Sequence, residues 1–380
     1  MRILIAAGGT GGHIYPALAV ARSLRERAPD LDIRWLGGRR GLEGRIVPTT
    51  GIELDRLWLR SLRSIDLSIH TLLDPLRLLL SVPQAGWRLA RWRPQVIFST
   101  GGYLSIPVLL AAALLRIPTL VWEGNSVAGR SVRATARLAG ALAVSFAETC
   151  EQLPGRCFVT GTPIRSFAGL DGGSARAALG LPADTPVILV FGGSQAVRRL
   201  NDAVAAALPE LLARACVVHV CGETGYGEAL RRREALPPEQ RPRYRPFPFI
   251  DREMAAALVA ADLVVGRAGS STLAETAALG RPIVIVPYPH ASGHQLANAR
   301  LLAEAGAALV VADEDFDAAA LRRAAGLLDE PAALARMQAA ARSLGRPGAA
   351  AAVAELALAM AERRPLPSPE RIDQLSRVGA

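Results

Sequence analysis

The sequence predicts an α/β protein with two doubly wound parallel sheets. Short apolar runs recur along the chain, and each ends in glycine or small polar residues that open a helix-forming stretch. Strands that alternate with helices in this way are typical of parallel sheets covered by helices on both faces. The pattern occurs twice, and 380 residues are enough for two domains of ordinary size.

The opening stretch contains the first candidate site. An apolar run at 3–7 ends in four glycines spread over positions 8–12, and a helix is predicted to follow, with Pro16 in its first turn. Glycines let a ligand approach the backbone, and a helix N-terminus offers N–H groups to an anion. His13 stands at this turn, and its proton is the one that moves near neutral pH. A glycine-rich turn alone also fits simple packing.

The rest of the first half repeats this pattern. Strands are predicted at 33–36, 54–57, 95–98, 119–122, 141–145 and 156–160. Parallel strands end at one edge of the sheet, where open α/β proteins bind ligands. The polar residues at 99–103 and 123–126 are therefore expected close to the opening turn.

Residues 72–93 form the least ordinary segment. It is apolar over much of its length and ends with two Trp among arginines. Taken alone, it fits a core helix with a solvated basic edge better than a helix that dips into a bilayer interface. The residues that would meet the bilayer in the second interpretation are Leu76, Leu79, Leu80, Trp87, Arg88 and Arg91.

Composition narrows the class of protein. Hydrophobic residues make up 51% of the chain and mean hydropathy is +0.24, which excludes global disorder. The basic residues are all Arg, and the net charge is +10. Residues 1–164 hold 20 Arg against 11 acidic residues, whereas 165–380 hold 24 against 23, so the basic excess belongs to the first half.

The cellular compartment and the state of the cysteines are predicted from sequence signals that we do not find. The sequence opens directly into a strand without a charged leader, and no run approaches the ~20 apolar residues of a spanning helix, so we expect a cytoplasmic protein. Cys150, Cys157, Cys216 and Cys221 show no Cys-x-x-Cys spacing. We expect buried thiols rather than a metal site or disulfides.

Four parts of the chain are predicted. Turn-forming residues at 160–165 place a boundary after Thr162. The predicted parts are a first domain at 1–162, a second domain at 163–345, a C-terminal helix at 346–364 that packs back on the first domain, and a loose tail at 365–380. Strands of the second domain are predicted at 186–191, 217–220, 244–247, 262–265 and 282–287.

The second domain has the better nucleotide site. Ser270, Ser271 and Thr272 open a helix, where hydroxyl and N–H groups suit a diphosphate. Glu275, expected on the first turn, has two oxygens that suit the two hydroxyls of a ribose, although a first-turn carboxylate also complements the helix dipole.

The amides of Gln295 and Asn298 are spaced i, i+3, so they share a helix face and suit sugar hydroxyls, although each alone fits a surface amide. No acidic residue ends the second strand, which disfavours NAD(P). We expect no Asp-x-Asp or clustered carboxylate motif to hold a metal against a diphosphate, so Arg165 and dipoles are expected to stabilise a departing diphosphate. His70 and His219 are expected to be structural.

The motifs, taken in order, resemble the MurG family, peptidoglycan glycosyltransferases that add N-acetylglucosamine to lipid I. The resemblance covers about residues 1–360. It rests on the segments 8–13, 101–107, 123–129, 161–165, 192–195, 267–275 and 294–299. The sequence departs from the family pattern in three places: Ala196-Val197 replace Gly-Ala, Gly124 replaces a common Gln, and His294 stands where members vary.

The resemblance implies the GT-B architecture: two Rossmann-like domains that face a cleft, an inverting transfer, no cofactor and no metal in the site. His13 would be the base that deprotonates the 4-hydroxyl of the acceptor. UDP-GlcNAc would be bound by Arg165, Ser194, Gln195, Phe249, Ile250, Ser271, Thr272, Glu275, Gln295 and Asn298. Lipid I would lie near Thr10, Gly11, Gly12, Tyr103, Glu123 and Asn125.

The same resemblance implies partners. The family docks peripherally on the anionic cytoplasmic face of the cell membrane, meets other cell-wall enzymes and has no nucleic-acid partner. It therefore favours the bilayer interpretation of residues 72–93. Two other classes remain as alternatives: a sugar-nucleotide epimerase or another lipid glycosyltransferase on this architecture, and a non-catalytic nucleotide-binding membrane scaffold.

Overall fold

The structure, a computed structural model, describes residues 1–39, 41–59, 69–192, 198–250, 253–289 and 293–378, without the side chains of residues 69–76. The chain divides into two compact units. Unit 1 contains Met1–Arg165 and Arg346–Ala380, and unit 2 contains Ser166–Gly345. The boundary expected after Thr162 lies in the same linker, just before Arg165.

Unit 1 is built on a parallel sheet whose central strands are buried on both faces, as their uninterrupted apolar runs require. Within the described residues this sheet has seven strands in the order β3-β2-β1-β4-β5-β6-β7. The strand order reverses between β1 and β4, which creates a switch point at the carboxyl edge. The strands are β1 (Arg2–Ala6), β2 (Asp32–Gly38), β3 (Glu53–Leu57), β4 (Val96–Ser99), β5 (Thr119–Glu123), β6 (Ala141–Val144) and β7 (Cys157–Val159).

Helices cover both faces of this sheet. They are α1 (Gly11–Arg27), α2 (Glu43–Ile46), α3 (Ile69–Trp92), α4 (Ser105–Leu114), α5 (Arg130–Thr135) and α6 (Ala147–Cys150). Helix α1 begins among the glycines, so Pro16 is an interior residue rather than a first-turn residue as predicted. The glycines themselves form the first turn, which moves the proline inward, and Pro16 is buried there.

Unit 2 repeats the architecture. Its described strands form a six-stranded parallel sheet in the order β10-β9-β8-β11-β12-β13. The strands are β8 (Val187–Phe191), β9 (Cys216–Val220), β10 (Tyr244–Phe247), β11 (Leu263–Gly266), β12 (Ile283–Ile285) and β13 (Ala308–Val310). The helices are α7 (Gly172–Ala178), α8 (Arg198–Arg214), α9 (Gly222–Ala235), α10 (Met254–Ala260), α11 (Ser270–Ala278), α12 (His294–Glu304), α13 (Ala318–Gly326) and α14 (Pro331–Leu344).

The chain returns to unit 1 through α15 (Ala349–Ala361) and α16 (Pro369–Arg377). Helix α15 packs in the same buried cluster as α1 and the β1 side chains, and Arg27 pairs with Glu355 at 3.0 Å.

The prediction of a loose tail is wrong for α16. Its Ile372 is fully buried, and Arg346 Nη2 lies 2.7 Å from the Asp373 carboxylate. The tail's prolines precede α16 or occupy its first position, where they favour a helix instead of breaking it.

Two of the four cysteines depart from the prediction. Cys216 and Cys221 are buried free thiols, but Cys150 and Cys157 form a disulfide. The end of α6 and the start of β7 bring their Cα atoms to 5.7 Å, a spacing that sequence alone does not reveal. His219 lies in the core of unit 2 between Tyr244 and Asn201, and burial lowers its pKa to about 3.

Candidate functional site

His13 lies at the switch point of unit 1, on the first turn of α1. Its Nδ1 is 2.7 Å from the Thr100 carbonyl oxygen, in the loop after the neighbouring strand β4. A carbonyl only accepts hydrogen bonds, so Nδ1 carries the proton of the neutral ring and Nε2 keeps its lone pair. A Cβ placed on Gly102 would lie 3.4 Å from Nε2, so the absence of a side chain there keeps this nitrogen approachable.

The other residues expected to bind the acceptor substrate lie at the ends of β1, β4 and β5 or just after them, and these strands are neighbours in the sheet of unit 1. Thr10 caps α1 with its carbonyl, which accepts the backbone N–H of His13 at 3.1 Å, and Gly11 and Gly12 open the helix. The Tyr103 hydroxyl is buried and has no hydrogen-bond partner within the described part of the chain. Burial, with a contribution from the charge of Glu43, raises the pKa of Tyr103.

Glu123 organises its own loop. One carboxylate oxygen accepts the backbone and side-chain N–H groups of Asn125 at 2.9 and 3.0 Å, and the other accepts the Gly129 N–H at 2.8 Å. The same loop is held from α6 and the following turn, because Thr149 donates to the Asn125 carbonyl and Gln152 donates to the Ser126 carbonyl. Glu123 therefore shapes the loop that presents Asn125.

Sequence patterns missed Glu43. Its side chain is fully buried at the carboxyl edge of unit 1, and its two oxygens accept the backbone N–H groups of Gly9 and Gly38, both at 2.9 Å. The only signal was an acidic residue beside glycines in a short loop, which is also typical of a solvated turn.

In unit 2, α11 starts at Ser270 as predicted, directly after β11. The Ser271 hydroxyl is buried without a hydrogen-bond partner among the described residues, which suits a site that a ligand completes. Thr272 lies beside it in the first turn, half-buried. Glu275 is 6% exposed but stands on the second turn of α11, not on the first as predicted, because the helix begins at Ser270.

Two amide side chains of helix α12 form hydrogen bonds with backbone groups near α11. Gln295 Oε1 accepts the Tyr288 N–H at 2.9 Å, and Asn298 is fully buried with its Nδ2 3.4 Å from the Ala268 carbonyl. Both amides therefore share their hydrogen-bonding groups with the loops after β12 and β11.

A buried arginine, also missed by the sequence patterns, ties the ends of three strands together. Arg267 follows β11, and its Nη1 donates to the Val286 carbonyl after β12 at 3.0 Å and to Asp313 after β13 at 2.5 Å. Its guanidinium also lies over the Tyr288 ring, 5.5 Å from the centroid. We call this set of contacts the Arg267 clamp.

The remaining residues expected to bind the sugar donor, UDP-GlcNAc, are more scattered. Phe249 is exposed and Ile250 is buried, just after β10, and β9 and β8 separate them from β11. Arg165 lies at the end of the first segment of unit 1, 5.7 Å from the centroid of the Tyr15 ring. Ser194 and Gln195, with Ala196-Val197, lie outside the described residues.

Contrary to expectation, carboxylates with Asp-x-Asp spacing do occur, at Asp30 and Asp32, at Asp313 and Asp315, and at Asp315 and Asp317. Asp313 is committed to the Arg267 clamp and to Arg199, whose Nε lies 3.3 Å away. In the part of the chain that the structure describes, no three His, Cys, Asp or Glu side chains are grouped to hold a metal ion.

Helix α3 has one buried and one exposed face. Ala85 and Leu89 pack on the sheet, while Leu79, Leu80 and Trp87 point outward, with Trp87 64% exposed. No helix in the described ranges is both long and apolar enough to cross a bilayer. The side chain of Leu76 lies outside the described residues.

The two arginines predicted to meet headgroups differ. Arg91 is exposed, with its guanidinium 5.9 Å from the centroid of the Trp87 ring. Arg88 instead turns inward, where it pairs with Asp55 and donates to the Arg56 carbonyl at 3.1 Å. Arg88 is therefore an internal contact between α3 and β3, which corrects the prediction that it faces headgroups.

Comparisons with known proteins agree with this architecture. The models described as glycosyltransferase family 28 N-terminal domain and C-terminal domain match residues 3–144 and 187–354. A relative from Desulforudis audaxviator (strain MP104C), named UDP-N-acetylglucosamine--N-acetylmuramyl-(pentapeptide) pyrophosphoryl-undecaprenol N-acetylglucosamine transferase, is 40% identical over 346 residues. The match covers 89% of this chain and 92% of the relative.

Solved structures are similar as well. The crystal structure of Acinetobacter baumannii MurG has a TM-score of 0.73 at 29% identity, covering 94% of this chain and 99% of that one. A putative UDP-N-acetylglucosamine 2-epimerase from Listeria monocytogenes has a TM-score of 0.70 at 14% identity, covering 97% and 98%. At that identity the second likeness concerns the fold alone.

Proposed function

Because this chain belongs to the MurG family of glycosyltransferases, we propose that it transfers N-acetylglucosamine from UDP-GlcNAc to the MurNAc residue of lipid I, which yields lipid II for peptidoglycan. Both family 28 domain models match, and the transferase relative is 40% identical over nearly its whole length. The two parallel-sheet units are the GT-B architecture.

One geometric observation carries the proposed mechanism: the Thr100 carbonyl holds the Nδ1 proton of His13. Nε2 then acts as the base. It takes the proton of the acceptor's 4-hydroxyl while that oxygen bonds to C1 of the sugar and the bond from C1 to the diphosphate breaks, with inversion at C1. The imidazolium that forms keeps its hydrogen bond to the carbonyl, which stabilises the positive charge.

We assign the donor to unit 2. The diphosphate lies at the N-terminus of α11, where Ser271 and Thr272 supply hydroxyls and the helix dipole favours negative charge. Glu275 accepts the ribose hydroxyls, Phe249 and Ile250 contact the uracil, and Gln295 and Asn298 contact the sugar. Ser194 and Gln195 complete the assignment in unit 2, and Arg165, the last residue of the first segment of unit 1, is also assigned to the donor.

We assign the acceptor to the carboxyl edge of unit 1, where Thr10, Gly11, Gly12, Tyr103 and Asn125 follow the neighbouring strands β1, β4 and β5, as His13 follows β1. Glu123 supports this site by shaping the loop of Asn125.

Lipid I is membrane-bound, so we also propose that the exposed face of α3 docks on the anionic cytoplasmic surface of the membrane. Leu79, Leu80 and Trp87 enter the interface and Arg91 meets headgroups.

The test is transfer of radiolabelled GlcNAc from UDP-GlcNAc to a short-chain lipid I analogue by the parent and by His13→Ala. Loss of the base should slow transfer by about 10²- to 10⁴-fold. UDP binding, measured by calorimetry, should not change, because UDP is assigned to unit 2. Transfer that survives the substitution would mean that another group is the base. Conversion of UDP-GlcNAc without acceptor would favour an epimerase, and UDP binding without any turnover would favour a scaffold.

A further inference from the structure

The carboxylate of Glu43 joins two turns of unit 1, the turn after β1 and the turn after β2. Its Oε2 accepts the N–H of Gly9, in the turn between β1 and α1, and its Oε1 accepts the N–H of Gly38, at the end of β2. A fully buried carboxylate is stable only when hydrogen bonds replace its water. Each oxygen has such a bond, so the side chain holds the two turns at a fixed distance.

The surrounding glycines make room for this carboxylate. A Cβ on Gly8 would lie 2.6 Å from Oε1, one on Gly37 would lie 2.9 Å from Cγ, and one on Gly41 would overlap Oε2. Gly9 itself has a φ of +93°, a backbone conformation that residues other than glycine rarely adopt. At Gly8, the space that the sequence pattern interprets as room for a ligand is therefore room for Glu43, and Gly37 makes room for the same side chain.

A third loop reaches the same point. A Cβ on Gly38 would lie 2.5 Å from the Tyr103 hydroxyl, so the loop after β4 closes over the contact between Glu43 and Gly38. The loops after β2, β1 and β4 thus meet around one carboxylate, and β2, β1 and β4 are consecutive in the sheet. Of these loops, the second leads into His13 and the third contains its Thr100 partner.

We infer that Glu43 is a positioning residue for the acceptor half of the proposed reaction, an inference that rests on the proposed function. It acts through the backbone of Gly9: the carboxylate sets where the turn ends and α1 begins, and thereby the placement of Thr10 and His13. The Gly9 N–H is committed to Glu43, so substrate is bound by other groups of the turn.

The experiment compares Glu43→Gln, Glu43→Asp and a control, Glu53→Gln. Gln has one accepting oxygen in place of two, so one backbone N–H loses its partner. Asp keeps the charge but is one methylene shorter and reaches one turn only. Glu53 lies in the same sheet, pairs with Arg34 at 3.2 Å and has a 63% exposed side chain, so its loss should not matter.

In both Glu43→Gln and Glu43→Asp, kcat/KM for the lipid I analogue should fall about tenfold or more below that of the parent. The KM for UDP-GlcNAc should stay within about twofold of the parent's value. All five Trp residues lie in residues 1–165, so Trp fluorescence during urea unfolding reports whether unit 1 is folded in each variant. An unchanged kcat/KM for the lipid I analogue in folded variants would overturn the inference. A rise in the KM for UDP-GlcNAc as large as the fall in kcat/KM for the lipid I analogue would also overturn it. Normal kinetics in Glu43→Asp alone would mean that charge, not tethering, is what matters.

Amide hydrogen exchange separates this inference from the proposed function. Exchange at residues 8–13 and 37–39 should be faster in Glu43→Gln than in the parent and unchanged in Glu53→Gln, whether or not the parent transfers sugar. If the parent shows no transfer, the proposed function fails while the tether is still measured. Equal exchange in parent and Glu43→Gln would show that no tether exists, even in an active enzyme.

Discussion

A single carbonyl determines which nitrogen of His13 is basic. The Thr100 oxygen lies 87 residues further along the chain and contributes no side-chain chemistry, yet it decides the tautomer of the ring. Substitution of Thr100 would leave this bond in place because the bond uses backbone. At the scale of residues, the proposed base therefore depends on where β4 ends rather than on the identity of its neighbour.

Glu275 gives the residue-scale prediction for the donor. Glu275→Ala removes a nearly buried carboxylate that we assign to the ribose hydroxyls, and hydrogen bonds to a charged group contribute about 1.5 kcal/mol or more. We expect the Kd for UDP to rise at least about tenfold by calorimetry. Glu210→Ala, an exposed carboxylate of unit 2, is the control. Equal UDP affinity in parent and Glu275→Ala would contradict the assignment.

The sequence places some residues of the candidate site and not others, for a physical reason. His13 and Ser271 follow a strand and open a helix, and that local pattern is enough to place them at a carboxyl edge. Glu43 and Arg88 have ordinary local surroundings, and their roles depend on partners distant in the chain. The carboxylate of Asp55 is 33 residues from Arg88, and neither periodicity nor spacing indicates that pair.

At the scale of elements, strands were the easiest to predict. A parallel strand buried on both faces must be an uninterrupted apolar run, so its bounds can be read to within a residue or two, as for β1 and β8. Helix α16 was missed because it is short and proline-flanked, with one face that becomes buried only against unit 1. The helix start at Gly11 was missed because glycine is a poor helix former.

The Arg267 clamp gives a prediction about three strand ends. Arg267→Met leaves Asp313 without its main partner in a nearly buried position, which should destabilise unit 2 by roughly 3 kcal/mol. The loops that lead into α11 and α12, which carry Ser271 and Gln295, should loosen with it, and the KM for UDP-GlcNAc should rise. Arg322→Met is the matched control, because its pair with Glu210 is exposed. Stability is measured by calorimetric unfolding, and a clamp variant as stable as the control would refute the clamp.

The exposed face of α3 gives the membrane prediction. The double change Leu79→Ser and Trp87→Ser should weaken binding to phosphatidylglycerol vesicles by about tenfold or more, because two exposed apolar side chains no longer enter the interface. Arg91→Glu should weaken binding to these vesicles but not to neutral ones. Co-sedimentation measures both. Leu309→Ser with Leu344→Ser, exposed on unit 2, is the control, and a loss of binding equal to the control's would return α3 to an ordinary surface helix.

At the scale of the whole molecule, unit 1 is made from two separate stretches of chain. The side chains of α15 lie in one buried cluster with those of α1 and β1, and α16 adds Ile372 to it. Unit 2, by contrast, comes from the single stretch Ser166–Gly345. The C-terminal residues are therefore part of unit 1, the unit that we assign to the acceptor, although the chain reaches them last.

Ile372→Ala tests this arrangement. It should destabilise unit 1 by roughly 3 kcal/mol because it leaves a cavity in a fully buried cluster. Trp fluorescence in urea reports unit 1, and UDP calorimetry reports unit 2, where no change is expected. Val378→Ala, in the same segment but 60% exposed, should leave both measurements unchanged. A normal fluorescence transition in Ile372→Ala would mean that α16 contributes little to unit 1.

The split origin of unit 1 has a consequence for synthesis on the ribosome. Residues 1–165 emerge first, but the sheet that they form lacks the helix that covers α1 and β1 until residues 349–361 have emerged. The intervening stretch can complete the core of unit 2 before that point. The half that we assign to the lipid acceptor is thus the last to close, and a nascent chain exposes its apolar helix-binding face for as long as unit 2 is being translated.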